Sequence, residues 1–266
     1  MKTTVIVLTT FFVIIVIGFV SWFVFFLEPE AAASTTEEKE LLDLATSKDV
    51  IIVFNSGGWG NATLKEATDF TPILAGIQQT LAELGYSSVI TPFVRTPGGL
   101  LGKISDEKDL MDSFRYSSEI LASEIEFVID NSPGKQVIIA GFSNGGDLTL
   151  KTMKRLANKP GIYAIVAGVP WWYQNFNSDS ILHLTNNGQD TLVAGDYGAV
   201  ALAVIESPFK WIWAKIHRRN LSLAQAIEFP GHDYPWVSRE VGPPIVKFLD
   251  AKIKPEALKE PTSAQK

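Results

Sequence analysis

The 266-residue chain contains no cysteine. That excludes disulfides, thiol nucleophiles and cysteine-ligated zinc, and leaves the redox compartment open. Histidine is nearly as scarce, with three in the whole chain, at 183, 217 and 232. Any chemistry that needs an imidazole therefore has a short field of candidates. Long basic runs are missing too. The formal net charge is −6, and the one dense basic cluster, Lys215, His217, Arg218 and Arg219, reads as a solvated helix end. A nucleic-acid partner is not expected. No internal repeat and no second globular domain is visible, although the length allows one good-sized domain plus an appendage.

What the chain has in plenty is apolar residues, 46% of the total, with a mean hydropathy of +0.15. Much of that excess lies in residues 5–27, which carry no charge and include Trp22 near the far end. At about 1.5 Å per residue such a run crosses a hydrocarbon core of about 30 Å. It is longer than the apolar region of a cleaved leader, and is read as a transmembrane anchor. The rival is a secretory signal cut near Ala31-Ala32-Ala33. Lys2 precedes the run and Glu28, Glu30, Glu37 and Glu38 follow it, so residues 1–4 are placed in the cytoplasm. The remainder is then extracytoplasmic, or secreted if the segment is removed. Asn61-Ala62-Thr63 and Asn220-Leu221-Ser222 match glycosylation acceptors, which matters only on a eukaryotic secretory route.

Residues 28–48 are acidic and alanine-rich and read as a stalk, and 254–266 as a polar tail. Between them, 49–253 alternates strand and helix. Short apolar, β-branched runs at 50–54, 88–94, 136–140, 162–167, 181–185 and 224–229 predict six strands. Helical spacing predicts helices over 73–84, 109–130, 147–156, 198–216 and 242–251, the last started by Pro243-Pro244. Strands that are apolar throughout, not alternating, imply burial on both faces. The expected fold is therefore α/β: one domain with a mostly parallel sheet of about six strands and helices on both faces.

The most informative motif is Gly141-Phe142-Ser143-Asn144-Gly145, directly after the strand at 136–140 and before a helix. A serine between glycines on a strand-to-helix turn is held on a sharp bend with its hydroxyl exposed. Ser143 is the candidate nucleophile. A serine hydroxyl needs a base, and His232 in Gly231-His232-Asp233 follows the last predicted strand at the sheet edge where open α/β folds build sites. His183 falls inside a strand and His217 in a basic helix. For the carboxylate that orients the base, Asp190 is preferred over Asp196, which becomes the candidate only if 191–194 is a strand. The glycine-rich stretch Phe54-Asn55-Ser56-Gly57-Gly58-Trp59-Gly60 offers backbone amides, so Gly57 and Asn144 are the candidate oxyanion donors. A phosphate-binding loop fits less well, because no Gly-Lys-Ser/Thr follows.

Taken together, Ser143, Asp190 and His232, in that order after successive strands, resemble the α/β-hydrolase superfamily over about 49–251. Gly188-Gln189-Asp190 is similar to the family's acid turn with one residue fewer. Asn55-Ser56 stands where many members have His-Gly. Two further opening strands common in the family have no counterpart here. The resemblance implies a serine esterase or lipase-like enzyme with a Ser-His-Asp triad, acting on an acyl-ester small molecule or lipid without metal or cofactor. Trp59, Trp171 and Trp172 are the candidate substrate contacts. Acyl transfer or peptide hydrolysis by the same residues, and a binding domain that has kept only the fold, are the alternatives. Oligomeric state is not readable.

Overall fold

The computed structural model describes residues 42–44, 46–58, 60, 63–65, 67–68, 70–95, 109–157, 159–173, 176–218 and 226–253. The expected anchor at 5–27, most of the stalk, Trp59 and the tail lie outside them. Among the described residues no helix is long and apolar enough to cross a membrane.

Five strands form one wholly parallel sheet: β1 (Val50–Asn55), β2 (Ser88–Pro92), β3 (Gln136–Phe142), β4 (Ile162–Ala167) and β5 (Ile181–Leu184), in the order β2-β1-β3-β4-β5. The helices are α1 (Thr71–Glu83), α2 (Arg115–Asn131), α3 (Asn144–Arg155), α4 (Thr191–Ala194), α5 (Tyr197–Ile216) and α6 (Gly242–Lys252).

The central strands are buried as their composition requires, every residue of β1 among them, whereas the edge strand β2 is only half-buried. Alternate residues feed opposite faces. Ile51, Val53, Val137 and Ile139 pack with Leu121 and Ile125 of α2 and Leu150 of α3. Val50, Ile52, Ile138 and Ile165 pack with Ile73 and Ile77 of α1 and Ile245 of α6. Each such side chain contributes about 1.5–3 kcal/mol when fully buried.

Two expectations are corrected. The predicted helix over 109–130 is broken, because Ser113 and Phe114 adopt left-handed backbone (φ 56 and 53), and α2 begins only at Arg115. The broken turn inserts Phe114 fully into the core, where the Arg95 guanidinium lies 4.7 Å from its ring centroid. The sixth strand does not form over the described part of 224–229, residues 226–229. The stretch that follows docks on the acid loop instead. Pro230 O accepts from Thr191 N–H at 3.0 Å, and Gly231 O accepts from Asn186 Nδ2 at 2.8 Å.

The topology also creates the site. From β1 the chain crosses to β2 on one side, and from β3 to β4 on the other. The loops leaving the carboxyl ends of β1 and β3 diverge, opening a crevice at that switch point.

Candidate active site

Ser143 sits at this crevice, as the N-cap of α3, with φ 53 and ψ −122. An L-residue rarely occupies that region, and holding one there costs about 1–3 kcal/mol. The surroundings enforce it. Ser143 N–H donates to Ala167 O of β4 at 2.9 Å, and Ser143 O accepts from Gly146 N–H at 2.9 Å. Gly145 is required by space, since a Cβ there would overlap the Asn55 and Ser56 carbonyls. Asn144 is the first residue of α3, so its amide has no intrahelical acceptor and lies at the positive end of the helix dipole.

The loop after β1 lies directly on this turn. A Cβ built on Gly57 would come within 3.2 Å of Ser143 Cβ. Two interactions fix the loop. Asn55 Nδ2 donates to Thr149 Oγ1 at 2.8 Å, and that hydroxyl donates to Gly145 O at 2.8 Å. Farther along, Arg95 Nη2 donates to Gly58 O at 2.8 Å. Gly57 and Asn144 therefore both lie next to Ser143.

The acid and the imidazole are joined. Asp190 is fully buried and caps α4, its Oδ1 accepting from Leu192 N–H at 2.9 Å and Val193 N–H at 3.2 Å. Its Oδ2 accepts from His232 Nδ1 and from Tyr234 Oη, both at 2.7 Å. Burial pushes the Asp190 carboxyl up, but the hydrogen bonds from His232, Tyr234 and the Val193 amide outweigh it and hold the group below its ordinary value. Burial and the adjacent carboxylate push the Tyr234 hydroxyl far up, so it stays a neutral donor. An ionised acceptor at Nδ1 fixes the tautomer with the proton on Nδ1 and the lone pair on Nε2.

The His232 ring lies over Phe142, the residue before Ser143, with centroids 4.9 Å apart. Gly168, at the end of β4, leaves room for it; a Cβ there would come within 2.5 Å of His232 Cε1. The imidazole is thus packed against the serine turn from the β4 side.

The rejected candidates fall elsewhere. Residues 191–194 are helical, and Asp196 is a half-turn further on, capping α5 through Ala199 N–H at 3.0 Å. His183 is on β5, where burial lowers its pKa against the pull of the Phe176 backbone. His217 stacks on Trp213 at 4.0 Å at the exposed end of α5. Trp171 and Trp172 form a 3-10 turn after β4 and are 38% and 43% exposed. Trp171 packs on Tyr197 at 5.0 Å, walling the acid loop. Trp59 lies outside the described residues. Among the described residues no three histidine or carboxylate side chains gather as metal ligands.

Tyr234 and Thr149 went unread in the sequence, as did the part Asn55 plays. Tyr234 had a signal, standing two residues beyond His232. Asp147 is fully buried in the first turn of α3, with both carboxylate oxygens unpartnered, and burial pushes it up to about 7 despite Lys151 and Arg95 nearby.

A parallel sheet, a strained serine turn opening a helix, and an acid–imidazole pair on the same edge in the order Ser143, Asp190, His232 match α/β-hydrolase architecture. Among solved structures the chain is similar to a cutinase from Trichoderma reesei in complex with a phosphonate inhibitor, at 14% identity and TM-score 0.42, over 60% of this chain and 78% of that one. It is also similar to a cutinase-like protein from Cryptococcus sp., at 13% identity and TM-score 0.31, over 46% of this chain and 52% of that one. A lid-less α/β serine hydrolase from Xanthomonas campestris matches at 17% identity and TM-score 0.30, over 51% of this chain and 57% of that one. The chain thus spans little more than half the length of the latter two. No protein-family model and no curated protein matches the sequence.

Proposed function

We propose that the chain is a serine hydrolase that cleaves a carboxylic ester. Ser143 Oγ attacks the acyl carbonyl while His232 Nε2 takes its proton. Asp190 holds the imidazole and stabilises the imidazolium. The amides of Gly57 and Asn144 donate to the oxyanion as it develops. Collapse of the tetrahedral adduct expels the alcohol, which takes the proton back from His232. Water then adds to the acyl-enzyme by the same route and releases the acid. Trp171, Trp172 and Trp59 supply an apolar wall for the acyl group. In this reading residues 5–27 anchor the chain, with 49–253 on the extracytoplasmic side.

The observation that carries the reading is the buried Asp190–His232 pair at 2.7 Å, seated on the residue that precedes a strained serine. A surface histidine or an unstrained serine needs no such support. Labelling with a fluorescent fluorophosphonate tests it. Wild type is expected to label, Ser143→Ala not at all, and Asp190→Asn about 10³–10⁴-fold more slowly. Undiminished labelling of Ser143→Ala, or none in a folded wild type, overturns the assignment and leaves a binding domain.

A further inference from the structure

Helix α5 is packed inside out. The residues it buries, Ala203, Ser207 and Ala214, are small. Among the residues it shows to solvent are Tyr197, Val204 and six large ones, Leu202, Ile205, Phe209, Ile212, Trp213 and Ile216, the six being 49–71% exposed. Their spacing puts all six on one stripe roughly 100° wide, the width of a face normally turned to a core. No charged residue falls within it. At about 1.5 Å per residue the stripe runs about 21 Å.

We propose that this stripe lies in the surface of a lipid bilayer, as an in-plane amphipathic helix whose cationic end favours anionic headgroups. Three observations select lipid as the occupant. First, charge complements it. Although the chain is acidic overall, with a net charge of −6, the C-terminal end of α5 carries Lys215 and Arg218. Neither has an acidic partner among the described residues, and Lys215 lies 5.9 Å from the Trp211 ring. Lys210, by contrast, is already tied to Glu206 and Glu228, at 3.6 and 3.2 Å. Second, an indole within an apolar stripe, here Trp213, with cations at the helix end is the composition of a helix lying at a membrane interface. Third, on the proposed reading of residues 5–27 as an anchor, the sequence ahead of the domain provides a tether. The uncharged run ends at residue 27 and the described chain begins at residue 42, a separation of at most about 50 Å when fully extended. The domain is kept within reach of whatever bilayer that run occupies.

Tyr197, at the start of α5, meets the Trp171 ring edge-on with centroids 5.0 Å apart, so the docked helix is joined to the loop after β4. The proposal does not depend on the ester reading and is tested without it.

Because the chain has no cysteine, single-cysteine variants can be labelled cleanly. Phe209→Cys and Ile216→Cys, both 71% exposed, remove no core side chain. Val237→Cys, 91% exposed and outside α5, is the control. Each full-length variant carries an environment-sensitive fluorophore and is reconstituted into phosphatidylcholine–phosphatidylglycerol vesicles. Circular dichroism verifies the fold. At 209 and 216 brominated acyl chains are expected to quench the label and aqueous iodide to lose its effect, with the reverse at 237. Iodide-accessible labels at 209 and 216 overturn the proposal. So does energy transfer between labels on two copies without acyl-chain quenching, which assigns the stripe to a second copy of the chain.

Discussion

Replacing Asp147 with asparagine tests how the first turn of α3 carries a charge it does not solvate. The carboxyl is fully buried, neither oxygen has a hydrogen-bond partner, and burial pushes it up to about 7. In the unfolded chain the same group titrates near 3.8. Between those values the folded state binds more protons than the unfolded one, so stability falls as pH rises. One proton contributes about 1.4 kcal/mol per pH unit, so the whole interval amounts to about 4 kcal/mol, a large share of the 5–15 kcal/mol typical of a domain. A carboxamide cannot ionise and resembles the protonated acid in shape and polarity, so Asp147→Asn removes this slope alone.

Urea unfolding at a series of pH values, followed by tryptophan fluorescence, is the assay. At pH near 4 the variant and wild type should be about equally stable. From there to about pH 7 the variant should gain progressively on wild type, reaching a few kcal/mol and then levelling. Comparing the two chains matters because Asp190 acts in the opposite sense. Its carboxyl is held below the ordinary value, so its contribution is present at neutral pH and lost as pH falls through that depressed pKa. Parallel stability profiles for the two proteins would falsify the reasoning: Asp147 would then be solvated or paired in the folded chain.

Two more outcomes follow from the site. Tyr234→Phe deletes one of the two hydrogen bonds on Asp190 Oδ2 and leaves a buried anion short of a donor. It should lower unfolding free energy by about 1.5–3 kcal/mol at neutral pH, measured by chemical denaturation; an unchanged value would mean that water replaces the hydroxyl. At Ser143, φ 53 favours glycine over any residue with a Cβ. Ser143→Gly should therefore be more stable than Ser143→Ala by about 1 kcal/mol in thermal unfolding, and the opposite order would show that the turn is not strained.

The fold was largely legible because its strands leave little choice. Five of the six predicted runs are strands of the sheet, since four to seven apolar, β-branched residues between turn signals have one good solution in an α/β domain. The two errors share a cause. The helical pattern over 109–130 says nothing of Arg95, which lies against Phe114 where the chain turns back on itself. The run at 224–229 is apolar enough for a strand, yet the carbonyls that follow it are taken by Thr191 and Asn186, and β5 gains no neighbour there. Local composition proposes an element, and a partner distant in sequence decides it.

The same logic explains which parts of the site were visible. Ser143, Asp190 and His232 each sit beside a glycine or a cap, and backbone demands of that kind leave a mark in sequence. The groups that hold them leave none. Asn55 and Thr149 are 94 positions apart, and Tyr234 is 44 from the carboxylate it serves. Nothing in the sequence near one member of either pair specifies the other. Only the divergence of the loops after β1 and β3 brings Asn55 over the helix that Ser143 caps, and only the docking of residues 230 and 231 on the acid loop sets Tyr234 on Asp190. Pro230 O and Gly231 O take their hydrogen bonds from Thr191 N–H and Asn186 Nδ2, on either side of Asp190, so the two loops are joined by backbone and side-chain bonds before the imidazole is placed. His232 meets Asp190 because the carbonyls just ahead of it are held by the acid loop.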